Sequence, residues 1–225
     1  MSIAPDIACT LAFMSVLSRR SPKQEEQRKA RRASVQRRLM EATEQLLREG
    51  HTYADLGIET IAARAGISRT TFYDYFDDKR QLLLSLGSTL ISDALQVADE
   101  WRPDDDHDQT KSELRRIIRS LVRMYRHPVA IAIIEATFYD EVVRMAWREE
   151  QQRHIERAVR LLTAEHEGGR FQPHGSTIQA RARALHWSIH GTALHEVALK
   201  QDIPEDEIVD ALVDVNILGV RGVLP

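Results

Sequence analysis

Apolar residues recur along this chain at intervals of three and four, and no stretch alternates long enough to make a half-buried strand. The pattern predicts an all-α protein of about nine helices. Val35, Leu39, Ala42, Leu46 and Leu47 form the buried stripe of a first helix, which Gly50 ends. Ile58, Ile61, Ala62 and Ala65 give a short second helix its single apolar stripe, broken at Gly66. Ile67 follows as an apolar plug, and Ser68 supplies an oxygen that can cap the next helix. That third helix, Arg69 to Tyr75, is anchored on one face by Phe72 and Phe76. It leaves Arg69, Thr70, Thr71, Tyr73 and Asp74 outward. Asp78 can cap a fourth helix running to about Trp101, with Leu82, Leu83, Leu84 and Leu86 inward.

Residues 102–108 (RPDDDHD) break the periodicity. Consecutive aspartates in a loop lack the alternating spacing of a calcium site, so the segment reads as a solvated link. Thr110 and Glu113 then have the spacing of a capping box. A helix should follow through Arg126, then a largely apolar run from Val129 to Phe138, and a long amphipathic helix from Val142 to Glu165, stopped at Gly168 and Gly169. Ser176 is placed to cap a helix running to Lys200. Pro204 with Glu205, Asp206 and Glu207 opens the last one, to Gly219.

The second and third helices have the form of a helix-turn-helix, in which the second member lies in the DNA major groove. Charge supports this. The formal net charge is -3, yet residues 1–40 carry a net +6. Arg19 to Arg38 holds nine basic residues against Glu25 and Glu26, an arm suited to phosphates or the minor groove. The apolar segment from Ile7 to Leu17 has no basic residue before it and is too short to cross a bilayer. An extension and a translation start at Met14 are both open for it. The lone cysteine, Cys9, cannot pair within the chain, which fits a reducing cytoplasm.

The segment also resembles the N-terminal domain of the TetR family of bacterial transcriptional regulators. The resemblance runs through Ile61-Ala62, Ala65-Gly66-Ile67-Ser68, Thr71-Phe72-Tyr73, Tyr75-Phe76 and Lys79, in the family's order and spacing. Gly57 departs from it, standing where many members carry a phosphate-touching threonine. The resemblance implies an N-terminal extension over 1–32, a three-helix DNA-binding domain over 33–80, and a ligand-binding and dimerisation domain over 81–225. It implies a repressor that binds palindromic operator DNA as a homodimer and is released by a small hydrophobic effector. Arg69, Thr70 and Thr71 are then the candidates for base edges. Ser68, Tyr73, Tyr75, Lys79, Arg31 and Arg32 are candidates for the backbone. An activator, or a ligand- or metal-sensing protein with a vestigial head, are the rival readings.

In the body, no glycine-rich phosphate loop, nucleophile elbow or acid–base constellation is present, so no enzyme activity, cofactor or membrane association is expected. His186 and His190 have chelating spacing, with His195 and Glu196 close by, but too few further ligands accompany them for a metal site. Residues after position 120, including HPVAIAI and ALHWSIHGTALHEVA, are similar to the mycobacterial ethionamide-resistance branch of the family. This implies an elongated hydrophobic pocket. Met124, Tyr125, Phe138, Trp147, His154, His186, Trp187 and Asn216 are the candidate lining residues. The apolar stripes of the last two helices, Ser176 to Lys200 and Glu205 to Gly219, imply a four-helix dimer interface.

Overall fold

The computed structural model describes residues 22–100, 107–169, 177–199 and 203–221. Expectations for Cys9, Met14, Arg19, Arg20, residues 102–106, Ser176 and Lys200 lie outside them. The described residues form nine helices and no strand: α1 (Pro22–Arg48), α2 (Ile58–Arg64), α3 (Arg69–Tyr73), α4 (Lys79–Asp99), α5 (His107–Arg126), α6 (Pro128–Ala136), α7 (Glu141–Glu167), α8 (Ile178–Leu199) and α9 (Glu205–Arg221). Two compact units divide the chain, one comprising residues up to Thr43 with Gly57–Asp77, the other Glu44–Leu56 with everything from Asp78 onward.

The first unit is built on the stripes read from the sequence. Leu39, Ile61 and Phe72 are fully buried, with Val35, Ala42, Ala62, Ala65 and Phe76 nearly so. Gly66 has φ +68, a left-handed conformation that costs a residue with a Cβ. It lets its own N–H reach Ala63 O (3.1 Å) and that of Ile67 reach Ala62 O (3.0 Å), closing the end of α2 as a Schellman turn. Thr43, wholly buried, satisfies its hydroxyl on Leu39 O at 2.8 Å. One expectation is corrected here. Residues 22–32 belong to a helix and not to an unstructured lead-in. Pro22 at the first position, alanines at 30 and 33, and a Lys29–Glu25 pair one turn apart (3.8 Å) favour helix despite the absence of buried side chains before Val35.

In the second unit, Ile118, Val122 and Tyr125 of α5 pack with Val209, Leu212 and Val213 of α9, Ala193 of α8 and Ala94 of α4. Gly87 lets α4 approach α6: a Cβ there would stand 2.4 Å from Ile133 Cδ1. Pro128 opens α6 behind His127, whose Nδ1 accepts from Val129 N at 3.3 Å. Two caps differ from expectation. Helix α5 starts at His107, so Thr110 and Glu113 lie inside it instead of flanking its start. The hydroxyl that accepts from Ala180 N (3.2 Å) at the start of α8 belongs to Thr177.

The apolar stripes of α8 and α9 are largely used within the chain. Ala182, Ala193, Ile208 and Leu212 are buried in it, and Leu185 and Ile189 border a cavity; Trp187 and Val215 remain about half exposed. No described helix is long and apolar enough to cross a membrane.

Candidate nucleic-acid interface and effector cavity

Helix α3 is only five residues long and is held by its cap and its aromatic underside. Ser68 Oγ accepts from Thr71 N at 3.0 Å and lies 2.8 Å from Thr71 Oγ1. Beneath, Phe72 meets Phe76 at 5.8 Å and the edge of Tyr73 at 5.6 Å. What faces outward is Arg69, Thr70 and Tyr73, with Thr71 half buried. Arg69 is not free in this structure. Its guanidinium pairs with Glu59 of α2, and its side chain is also hydrogen-bonded to Tyr73, interactions that hold its pKa above the ordinary arginine value. Glu59 was not among the sequence candidates. A carboxylate ten residues away on another helix gives no periodic signal, and only the turn between α2 and α3 brings it to Arg69.

Other expected DNA residues have structural duties. Arg32 Nη1 donates to Asp74 O (2.8 Å) and its guanidinium lies over the Tyr75 ring at 5.3 Å, so both residues brace the end of α3. Arg31 is exposed. The Lys79 ammonium donates to the carbonyls of Tyr53 (2.7 Å), Ala54 (3.0 Å) and Leu56 (2.9 Å), and lies 4.9 Å from the Tyr53 ring. All three of its donors are taken, contrary to an open phosphate contact. Burial lowers its pKa and raises that of Tyr53, whose hydroxyl donates to Lys79 O.

The body contains an apolar cavity of about 180 Å³. Its walls include Leu95, Leu121 and Leu162, with Tyr125, His154, His186 and Asn216 as its few polar members. Beside it, along α4 and α7, a cleft of about 340 Å³ is bordered by Gly87, Ser92, Ile133, Trp147, Glu150 and Arg153. Leu95 borders both. The sequence-based set is thus divided. Tyr125, His154, His186 and Asn216 meet at the cavity and Trp147 at the cleft. Met124 is instead packed in the core at 3% exposure. Phe138, 82% exposed in the turn after α6, lines neither, and half-exposed Trp187 packs its ring edge-on to His186 and His190. The apolar run ending at Phe138 concealed the fact that α6 stops at Ala136, turning that ring outward.

A cluster of aromatic and imidazole rings closes the polar end. His186 stacks on His190 at 5.9 Å, Tyr125 meets His190 at 4.9 Å, and His154 lies 5.9 Å from His186. His186 Nε2 is 2.6 Å from Gln151 Oε1, which fixes the proton on that nitrogen. Burial first, then mutual repulsion, pushes His186 and His190 down to about 4; burial likewise lowers His154 although Glu150 opposes it. The cluster is neutral at pH 7. Among the described residues no group of three His, Cys, Asp or Glu is arranged to hold a metal ion. Gln151 and His190, both buried, are contributions that residue spacing did not reveal.

With this geometry in view, the chain was compared with known proteins. The family model for bacterial regulatory proteins of the tetR family matches residues 39–86, and that for the C-terminal domain of the transcriptional regulator EthR matches residues 114–222. Over 192 residues the chain is 31% identical to an HTH-type transcriptional regulator EthR of Mycolicibacterium smegmatis, covering 82% of this chain and 85% of that one. A similar solved structure is the fatty acid degradation regulator FadR of Bacillus halodurans, with TM-score 0.68, 16% identity, and coverage of 91% and 99%. Another is the transcriptional regulator FadR of Bacillus subtilis in complex with stearoyl-CoA, with TM-score 0.65, 19% identity, and coverage of 83% and 98%. At such identities the structural likeness shows a shared fold.

Proposed function

The chain belongs to the TetR family of bacterial transcriptional regulators, and from that premise we propose that it is a repressor that binds a palindromic operator as a homodimer and is released by a small hydrophobic ligand. The observation that carries this reading is α3: a capped helix seated on buried Phe72, presenting Arg69, Thr70 and Tyr73 to a groove. Arg69, Thr70 and Thr71 contact base edges, and Tyr73 and Arg31 contact phosphates. Ser68, Tyr75 and Arg32 act behind them by holding α3. One five-residue helix touches too few bases for specific binding, so two are required, about one DNA turn (~34 Å) apart. Trp187 on α8 and Val215 on α9, apolar and half exposed, support a subunit interface through these helices. Binding of cellular operator DNA places the protein in the cytoplasm.

The ligand enters the apolar cavity of the body. Its almost wholly hydrocarbon wall and neutral imidazoles favour an uncharged or long-chain molecule, in keeping with the stearoyl-CoA bound by the Bacillus subtilis relative. Release follows only if the ligand binds the DNA-incompetent conformation more tightly than the DNA-bound one. The test is binding of the purified protein to the intergenic DNA beside its gene, against scrambled DNA, over a salt series. A preference of about a thousandfold or more for the native fragment, at two subunits per site, is expected. Equal, salt-sensitive binding to both fragments would reduce the head to a phosphate binder, and no binding at low salt would leave a sensor without a DNA target.

A further inference from the structure

The cavity and the cleft of the body run end to end along one pair of helices. On α4 the cleft takes Gly87 and Ser92 and the cavity takes Ala98, with Leu95 between them. On α7 the same order recurs: Trp147 and Glu150 border the cleft, and His154 the cavity, one turn further on. Leu95 is the residue whose side chain is in the wall of both, and it is itself only half buried, as a side chain with space on two sides must be. The two spaces differ in character. The cavity is nearly all hydrocarbon, whereas the cleft has exposed Ser88 and Ser92 and the Glu150–Arg153 pair at its edge.

We propose that Leu95 is the partition of a single elongated channel and sets the length of chain the protein accepts. The ligand is an unbranched amphiphile whose hydrocarbon end fills the cavity. Its polar end stays on the cleft side, among the serines. A leucine with space on both faces is held by few contacts, and turning about χ1 or χ2 is a rotamer change of small cost. With Leu95 in place the cavity volume of about 180 Å³ is the limit. Since an apolar cavity of roughly 150 Å³ accommodates the six carbons of benzene, this corresponds to about seven carbons. Removal of the leucine side chain joins cavity to cleft and removes the limit.

This inference rests on the reading of the cavity as the effector site, and the experiment separates the two. Linear 1-alkanols from hexanol to tetradecanol are titrated calorimetrically into the full chain, Leu95→Ala and Leu95→Val. Folding of each variant is verified by its thermal melt. In the parent, affinity should tighten roughly fourfold per added methylene and then level off near the limit. In Leu95→Ala the tightening should continue for several more carbons, with hexanol affinity within about threefold of the parent, since the shortest chain never reaches the partition. Leu95→Val should move the break less, in the same direction. The same break in the parent and in either folded variant, or no break in the parent, overturns the assignment of Leu95 while leaving the cavity as an effector site. Failure of every alkanol to bind removes the cavity reading and the inference together.

Discussion

At the scale of single residues, the reader face separates into groups that touch DNA and groups that hold those in place. Arg69 is exposed at the first position of α3, and its fork suits a guanine edge. Arg69→Ala should cost about 1–3 kcal/mol on the operator and relax preference at one base position, whereas Tyr73→Phe should weaken all DNA alike. Equal losses on every sequence for both variants would refute that division; binding to an operator library reads it directly. Lys79 makes the contrasting case, because three backbone carbonyls occupy its ammonium. Lys79→Met should lower stability by about 1–3 kcal/mol in a denaturation melt. The slope of log affinity against log salt should stay unchanged, where loss of a phosphate contact would reduce it by about one. Residue type and spacing located Arg69 and Ser68 in the sequence, but a lysine bound to carbonyls reads the same as one bound to phosphate until the loop from Tyr53 to Leu56 is folded around it.

At the scale of elements, α5 and α9 are joined across their length by an ordered set of ion pairs. Lys111 meets Asp214 (3.0 Å), Arg115 meets Asp210, Arg119 meets Asp206, and Arg123 meets Glu205 (2.9 Å). The basic members fall every four residues on α5, one face of the helix, and the acids run the other way along α9. Most of these groups are substantially exposed, so each pair contributes only about 0–1 kcal/mol, and orientation of α9 is their larger effect. Asp210→Ala should lower the melting temperature by no more than about 2–4 °C at low salt, and by less in 1 M salt, where the surface pairs are screened. An undiminished effect at high salt would mean that Asp210 acts by packing. The helices themselves were readable from period and punctuation. Their ends were less so: at α5 and α8 residues with suitable chemistry adjoined one another, and local propensity does not choose between neighbouring caps.

For the whole molecule, the histidine cluster ties stability to pH. His186 and His190 titrate near 4 in the folded chain and near the ordinary 6.5 when unfolded. The unfolded state therefore binds more protons between these values, and stability falls as pH drops from about 6.5 to about 4, then levels. Above about 6.5 these two groups contribute no slope. His190→Gln should flatten the decline of melting temperature over that window, and an unchanged decline would assign the acid sensitivity to the carboxylates. Glu44, by contrast, is held below its usual range by Arg48 and His127 against the pull of burial, so its contribution fades only at lower pH.

By itself the sequence determined the helical class, the reader motif and the chemistry of its outward face. These depend on interactions within a few residues: the stripe of Ile61, Ala62 and Ala65, the left-handed Gly66 and the cap of Ser68. Tertiary structure alone decided which of the body's aromatic and polar side chains share a space. His154, His186 and Asn216 lie on three different helices and meet at one cavity, while Phe138, as apolar as any of them, is turned to the surface by the end of α6. The reason is physical: a helix period tells which face is buried, but a cavity arises where packing between several helices is incomplete, and that is a property of their joint arrangement.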